Sequence, residues 1–393
     1  MGSESRYQAF LDTRDREGLR RSLSEVAARD ARSITVAGRS YVNFASNDYL
    51  ALRFHKLLIE RAGEWAKAYG AGAGASRLVT GNLDLFAPLE AKVAKLKGKP
   101  AALIMASGFQ TNAAVLQALF DKAVLGAEPL VFADRLNHAS MHFGCQAADV
   151  HQLRYRHCDA SHLDALLSQY QGDERPKFIL TESVFSMDGD VAPLGEIAKL
   201  ARLHGATLIV DDAHATGILG EKGRGLSGGA DIAIGTFSKA LGGFGGYVVS
   251  SETVRDYLVN RCSGLIYSTA LPPPVLGAVD AALDLVPGMD AERAHVAGLA
   301  KRFREGTATL GLGTGASTTH IVPVILGSPE AALAKSKRLR QAGFWVVAIR
   351  PPTVPAGTAR LRLAFTAAHQ ESDIDRLLDF LSEEDVPRRA SAM

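Results

Sequence analysis

The sequence predicts an α/β protein with a mostly parallel central sheet, an N-terminal arm of helix and strand before it and a small α+β domain after it. Three observations lead there. From about Lys99 to Ser250 the chain repeats one unit: a short apolar run, a turn, then a helical stretch of mixed polarity. The apolar runs are continuous rather than alternating, as strands read when both faces of a parallel sheet are covered. Beyond Pro287-Gly288, a turn-forming pair, strand-like runs alternate with only two helical stretches.

In order along the chain, apolar positions between Tyr7 and Ala28 recur at helical spacing and predict an amphipathic arm. Two short strands follow, Ser33 to Val36 and Tyr41 to Phe44. The central runs are ALIMAS (102–107), PLVFAD (129–134), KFILTES (177–183), TLIVDDA (207–213), IAIGTF (232–237) and GGYVVS (245–250). Pro272-Pro273-Pro274 opens a helical stretch to Leu285. HIVPVILG (320–327), FWVVAIR (344–350) and ARLRLAF (359–365) supply later strands, and Glu371 to Leu381 a closing helix. The expected division is an arm at 1–48, a large domain at 49–287 and a small domain at 288–393.

Composition excludes several classes. The chain has 393 residues, 47% hydrophobic and 22% charged, so it is long and apolar enough for a substantial core and is not globally disordered. Its 44 basic and 42 acidic residues leave a net charge of +2, too little to neutralise a nucleic acid backbone. Three cysteines without a CxxC pair suit a reducing compartment. The polar start lacks a signal core, and no apolar run reaches the ~18 residues of a membrane span. A cytoplasmic location with no membrane partner is expected.

In an open parallel sheet, ligands bind beyond the carboxyl ends of the strands, so the residues closing each apolar run come first. TLIV ends in Asp211-Asp212-Ala213-His214, IAIGTF in Thr236-Phe237-Ser238-Lys239, KFIL in Glu182-Ser183 and ALIM in Ser107-Gly108-Phe109. A lysine before the flexible Leu241-Gly242-Gly243-Phe244-Gly245-Gly246 segment can present a desolvated amine to a carbonyl. A carboxylate at the end of a buried strand needs a cation, which a protonated heterocyclic nitrogen supplies. Taken singly, Lys239 reads as a surface lysine, Asp211 as a helix cap and His214 as a buried histidine. Together they match the pattern of a pyridoxal phosphate site, an Asp for the ring nitrogen and a Lys for the Schiff base. Gly108 at a strand-to-helix turn, with Thr236 and Ser238, suits a phosphate, and the His138 ring suits stacking.

Rival signals are weaker. Gly223-Arg224-Gly225-Leu226-Ser227-Gly228 fits a dinucleotide fingerprint, but Glu221-Lys222 precede it where a strand is required. No GxxxxGK[ST] or GxSxG occurs, and the eleven histidines form neither HExxH nor a ligand-like cluster with cysteine, so no metal is expected.

The chain resembles the α-oxoamine synthases, pyridoxal phosphate enzymes of the aspartate-aminotransferase-like fold type I. The resemblance spans nearly the whole length, through NFASNDYLAL (43–52), SRLVTGN (76–82), ASGFQTN (106–112), DRLNHAS (134–140), TESVFSMDGD (181–190), VDDAHATGILGEKGRG (210–225), TFSKALGG (236–243), YSTALPP (267–273) and PPTVPAGTARLRL (351–363). It implies that Lys239 carries the cofactor as a Schiff base, Asp211 meets the ring nitrogen, His214 the ring hydroxyl, and His138 stacks on the ring. It implies further that Ser186 lies beside the ring, that Gly108, Phe109 and Thr236 bind the phosphate, and that Ser268 and Thr269 reach a phosphate across a homodimer interface. Arg362 is implied as the substrate-carboxylate anchor, with Arg20, Asn47 and Thr353 also on the substrate side and Arg21 the rival of Arg20. Within the family, SNDYL and PPTVPAGTARLRL point to the members of biotin biosynthesis, which join L-alanine to a pimeloyl thioester of coenzyme A or of an acyl carrier protein with loss of CO₂. Alternatives are a relative using glycine or serine with another acyl thioester, and a non-catalytic pyridoxal phosphate-binding protein.

Overall fold

The computed structural model describes residues 2–385; the outermost residues of the expected arm and small domain, 1 and 386–393, lie outside them. In chain order the strands are β1 (Ser33–Val36), β2 (Arg39–Asn43), β3 (Ala101–Met105), β4 (Leu130–Asp134), β5 (Gln152–Tyr155), β6 (Lys177–Glu182), β7 (Ala206–Asp211), β8 (Ile232–Thr236), β9 (Gly246–Ser250), β10 (Ile321–Gly327), β11 (Phe344–Trp345), β12 (Val347–Ile349) and β13 (Ala359–Ala364). They fall in two compact units. One comprises residues 47–186 and 190–295, the other the residues up to 46, 187–189 and those from 296 onward.

The larger unit carries a seven-stranded sheet in the order β3-β9-β8-β7-β6-β4-β5. β9 runs antiparallel to both its neighbours, and the other pairs are parallel. Every residue of β3, β4, β8 and β9 is buried, which is why these strands read as unbroken apolar runs. Val131, Ala133, Leu180 and Ile209 project to one face, where Val115, Leu116, Met141 and Leu258 cover them. Phe132, Ile179, Leu208 and Val210 project to the other, against Leu163, Leu167 and Ile197. Each fully buried side chain of this size contributes about 1.5–3 kcal/mol.

Two features of this sheet differ from the sequence expectation. β5, Gln-Leu-Arg-Tyr, is an edge strand with only Tyr155 buried, so it has no apolar run to betray it. GGYVVS is a strand, but its direction is set by tertiary pairing that local pattern does not encode.

In the smaller unit β1, β2 and β11 form one sheet and β10, β13 and β12 another. The expected arm shares this unit with the C-terminal strands because β11 pairs with β2. FWVVAIR is two strands in different sheets, broken at the buried Val346. The N-terminal helix is Ser3–Arg16, not a helix to Ala28, and buries no residue. It stops where Gly18 takes a φ of +64°, a left-handed conformation glycine adopts without strain. Pro287-Gly288 is one 3₁₀ turn before the helix Asp290–Thr309, within which the two units part.

Among the charged clusters of the larger unit, two adjoin the ends of the sheet strands. Lys97 and Asp212, both shut off from solvent, form an ion pair beneath the end of β7. Asp212 also accepts from Ser183 Oγ at 2.5 Å, Ser227 Oγ at 2.9 Å and the Leu226 N–H at 3.1 Å. Gly225 passes so close that a Cβ there would strike Asp212 Oδ2. The second cluster corrects the sequence reading of the histidines, because the fold brings Asp134, His157 and Cys158 within 4.8 Å of one another. It is already satisfied internally: His157 Nδ1 meets Asp134 Oδ1 at 3.0 Å and Nε2 meets Asp190 Oδ2 at 2.8 Å. Burial opposes the charged imidazole, but the two carboxylates prevail and raise its pKa to about 12. A metal would have to displace that proton.

Because the His157 pKa is raised, the stability it adds is complete below the unfolded value of 6.5 and is lost as pH climbs toward about 12. His157→Gln should therefore lower the melting temperature more at mildly acid than at alkaline pH; an equal loss at both would contradict the charged reading. Lys97→Met leaves the Asp212 charge buried without its cation and should cost about 3–5 kcal/mol in denaturant unfolding; a loss below about 1 kcal/mol would show the pair to be dispensable.

Candidate active site

The crevice follows from the strand order. From β4 the chain goes outward to β5, then returns to the opposite side of β4 for β6, β7 and β8. The loops beyond β4 and β6 therefore diverge, and a pocket opens at the carboxyl ends of the strands. It is a cavity of about 250 Å³. Its walls bring together Gly108, Phe109, His138, Asp211, His214, Thr236, Ser238 and Lys239, each of them proposed from sequence.

Asp211 closes β7 and is 6% exposed. Its Oδ2 accepts from Asn112 Nδ2 at 2.6 Å and its Oδ1 from the Ala213 N–H at 2.9 Å. Asn112 stands one turn into the helix Gly108–Leu119 and also donates to Ser140 Oγ at 3.0 Å, which lies 2.7 Å from His138 Nδ1. One chain of polar contacts thus ties the β7 carboxylate to the β4 loop. Desolvation lowers the His138 imidazole below its ordinary 6.5, with Asp211 opposing and Lys239 adding to the shift. His214 Nδ1 lies 2.7 Å from the hydroxyl of the buried Tyr49, which in turn donates to Asn47 Oδ1 at 3.1 Å. A hydroxyl has one proton, so donating to Asn47 leaves it accepting from His214 Nδ1–H.

Across the cavity, Ser107 caps the helix Gly108–Leu119 by accepting from the Gln110 N–H at 3.2 Å. That leaves the N–H groups of Gly108 and Phe109, at the positive end of the helix dipole, beside the cavity. A Cβ at Gly108 would come within 3.2 Å of Thr236 Cβ, so glycine keeps the space in front of the Thr236 hydroxyl open. Thr236 donates to the Gly245 carbonyl at 2.7 Å, which makes Ser238 the donor in their 2.8 Å contact. Lys239 follows at once, half-buried.

Other proposed residues lie elsewhere. Ser186 is not among the residues lining the cavity, and Ser268 and Thr269 line a separate small recess with Arg77 and Met105. In the smaller unit, Arg20 and Thr353 line a recess of about 560 Å³. There Arg20 pairs with Asp15 at 2.5 Å, while Arg21 donates to Thr353 Oγ1 at 3.3 Å. Arg362 is buried on β13.

Asn112 and Ser140 line the cavity without having been singled out in sequence, and Glu182 was noted there only as the end of a strand. The signal was there for Asn112, four residues after Gly108 and so on the same helix face, and for Glu182, which closes an apolar run. Ser140 carries none. The lining fits a phosphorylated, carbonyl-bearing heterocycle: it offers the N–H groups of a helix N-terminus, a Ser238 hydroxyl that can turn from Thr236 to a phosphate, an amine and a carboxylate. Asn112 Oδ1, buried with no partner among the described residues, offers that site one more acceptor.

A family model for class I and II aminotransferases matches residues 39–381. The chain is 54% identical over 382 residues to the 8-amino-7-oxononanoate synthase of Gluconacetobacter diazotrophicus, covering 96% of each chain. The serine palmitoyltransferase of S. paucimobilis, solved with pyridoxal phosphate and myriocin bound, superposes with a TM-score of 0.90 at 26% identity over 98% of both chains. The Francisella tularensis 8-amino-7-oxononanoate synthase superposes with a TM-score of 0.75 at 28% identity, covering 88% of this chain and 97% of that one. These matches bear out the fold class expected from the sequence. The chain belongs to the class I and II aminotransferase family and, within it, to the α-oxoamine synthases.

Proposed function

We propose that this protein is a pyridoxal phosphate-dependent acyltransferase that joins L-alanine to a pimeloyl thioester, releasing CO₂ and the free thiol and forming 8-amino-7-oxononanoate. The observation that carries the reading is the convergence of Lys239 and Asp211, with His138 and His214, on one cavity of about 250 Å³. The 54% identity to a named synthase supports this substrate pair over others in the family.

Pyridoxal phosphate, when bound, would supply an electron sink for the bond broken at the amino acid Cα. Asp211, fixed at both oxygens, would keep a proton on the ring nitrogen and so preserve the ring's pull on electrons. Lys239 would hold the cofactor covalently and, once released by the amino acid, take the Cα proton and return it later. His138 would stack on the ring and His214 would contact the ring hydroxyl. The backbone of Gly108 and Phe109, with Thr236 and Ser238, would bind the phosphate.

For Ser186 the reading keeps a place near the ring. Ser268 and Thr269 are assigned to the phosphate site of the second subunit in a homodimer, in keeping with their place outside the cavity. On the substrate side Arg362 supplies a planar fork for a carboxylate, and Asn47, Thr353 and Arg20 are assigned to substrate as well. The Arg21–Thr353 contact makes Arg21 the stronger candidate of the arginine pair. The division into 1–48, 49–287 and 288–393 is kept as a proposal about sequence segments, the first and last of which contribute to one compact unit. Among the described residues no helix is long and apolar enough to cross a membrane, and the three cysteines are free, which supports a cytoplasmic enzyme.

The test is CO₂ release by the purified protein with pyridoxal phosphate, offering L-alanine, glycine or serine with a panel of acyl thioesters. L-Alanine with a pimeloyl thioester should give the highest kcat/KM, and Lys239→Ala should lower it by about 10²- to 10⁴-fold or more. A clear preference for glycine or serine with another acyl group would overturn the substrate assignment. Activity unchanged in Lys239→Ala would overturn the mechanism.

A further inference from the structure

Glu182 lines the cavity, and the reaction as described gives it no work. It closes β6 as Asp211 closes β7, and the register of the two strands sets them directly opposite one another. Cross-strand partners project to the same face of a sheet, with Cβ atoms about 5 Å apart. Both residues are nearly shut off from solvent, at 3% and 6%. Two carboxyl groups so close in a desolvated site cannot both ionise without a large penalty.

The hydrogen bonds decide which one keeps its proton. Asp211 receives donors at both oxygens, from Asn112 and from the Ala213 N–H, the arrangement that suits a carboxylate. For Glu182 burial is the largest influence and the Asp211 charge the next, and together they hold its carboxyl well above the ordinary 4.5. Lys239 and the His138 backbone N–H pull the other way without prevailing. From the β4 side Asp134 adds a further negative charge, itself bound to His157.

We propose that Glu182 and Asp211 share a single negative charge, and that Glu182, as the un-ionised member, is a positioning residue presenting a carboxylic O–H to the cavity that receives pyridoxal phosphate. Only the last clause rests on the cofactor reading above. An un-ionised Glu182 also spares Lys239 a second nearby anion, which would hold its amine as the unreactive ammonium ion.

Two measurements test this. Infrared difference spectra of the full-length apoprotein near neutral pH, parent against Glu182→Gln, should show the carbonyl stretch of an un-ionised acid. Carboxylate bands in its place overturn the proposal, and the parent's own pH titration of that band gives the same answer if the variant does not fold. The second measurement is affinity for pyridoxal phosphate, followed by the cofactor's absorption. Glu182→Gln, which retains a donor of the same shape, should bind within about threefold of the parent, whereas Glu182→Leu should bind about tenfold more weakly or worse. Equal affinities for Gln and Leu variants overturn the donor role, and a tenfold loss in Glu182→Gln shows that the anion was required. A parent protein that takes up no pyridoxal phosphate would defeat the cofactor reading while leaving the infrared result to stand on its own.

Discussion

A carboxylate held at the end of a buried strand is the constraint from which the site follows. Asp211 closes β7 in the interior of the sheet, where an unpaired anion is costly, and the protein itself supplies it with amide donors from Asn112 and Ala213. Such an arrangement stabilises the charge while keeping it available to a positively charged ligand. A buried cation, Lys97, is spent on the adjacent Asp212. Consecutive aspartates thus face different tasks: Asp212 ties helix, strand and glycine loop together, and Asp211 is left for chemistry.

The parallel sheet explains why so many functional groups arrive at one place. Strands β4, β6, β7 and β8 all point their carboxyl ends the same way, so the residues that close them or directly follow are delivered to one rim: His138, Glu182, Asp211 and Lys239. The helix Gly108–Leu119 adds its N-terminus, which gives the pocket one electropositive end and one electronegative end. A ligand with a phosphate at one side and a protonatable ring nitrogen at the other complements that polarity, and the Lys239 amine on the same cavity can grip an aldehyde. The family's chemistry, in which the ring must stay positive while a carbon acid is formed, places the same demands.

Much of this was legible in the sequence because burial on both faces leaves an unmistakable run of apolar residues, and the polar residue that ends the run marks the rim. The central strands and the residues Gly108, His138, Asp211, Thr236 and Lys239 were found that way or through motifs. What escaped depended on partners distant in the chain. β5 has one buried side chain and looks like loop; FWVVAIR reads as one strand although Val346 divides it between two sheets; the helix of the arm ends early because Gly18 turns the backbone left-handed. Glu182 was visible as a strand-ending acid, but its significance comes from the register that sets it against Asp211, and register is a tertiary property. The cluster of Asp134, His157 and Cys158 was hidden for the same reason, since β4 and the turn after β5 meet only in the folded sheet.

The central claim, that one heterocycle is gripped between an amine and an anionic carboxylate, is tested most directly by a crystal structure of the protein grown with pyridoxal phosphate. The account predicts electron density continuous from Lys239 Nζ into the cofactor, with the ring nitrogen about 2.6–3.2 Å from an Asp211 oxygen. Cofactor bound elsewhere, or a ring turned so that its nitrogen faces away from Asp211, would contradict it.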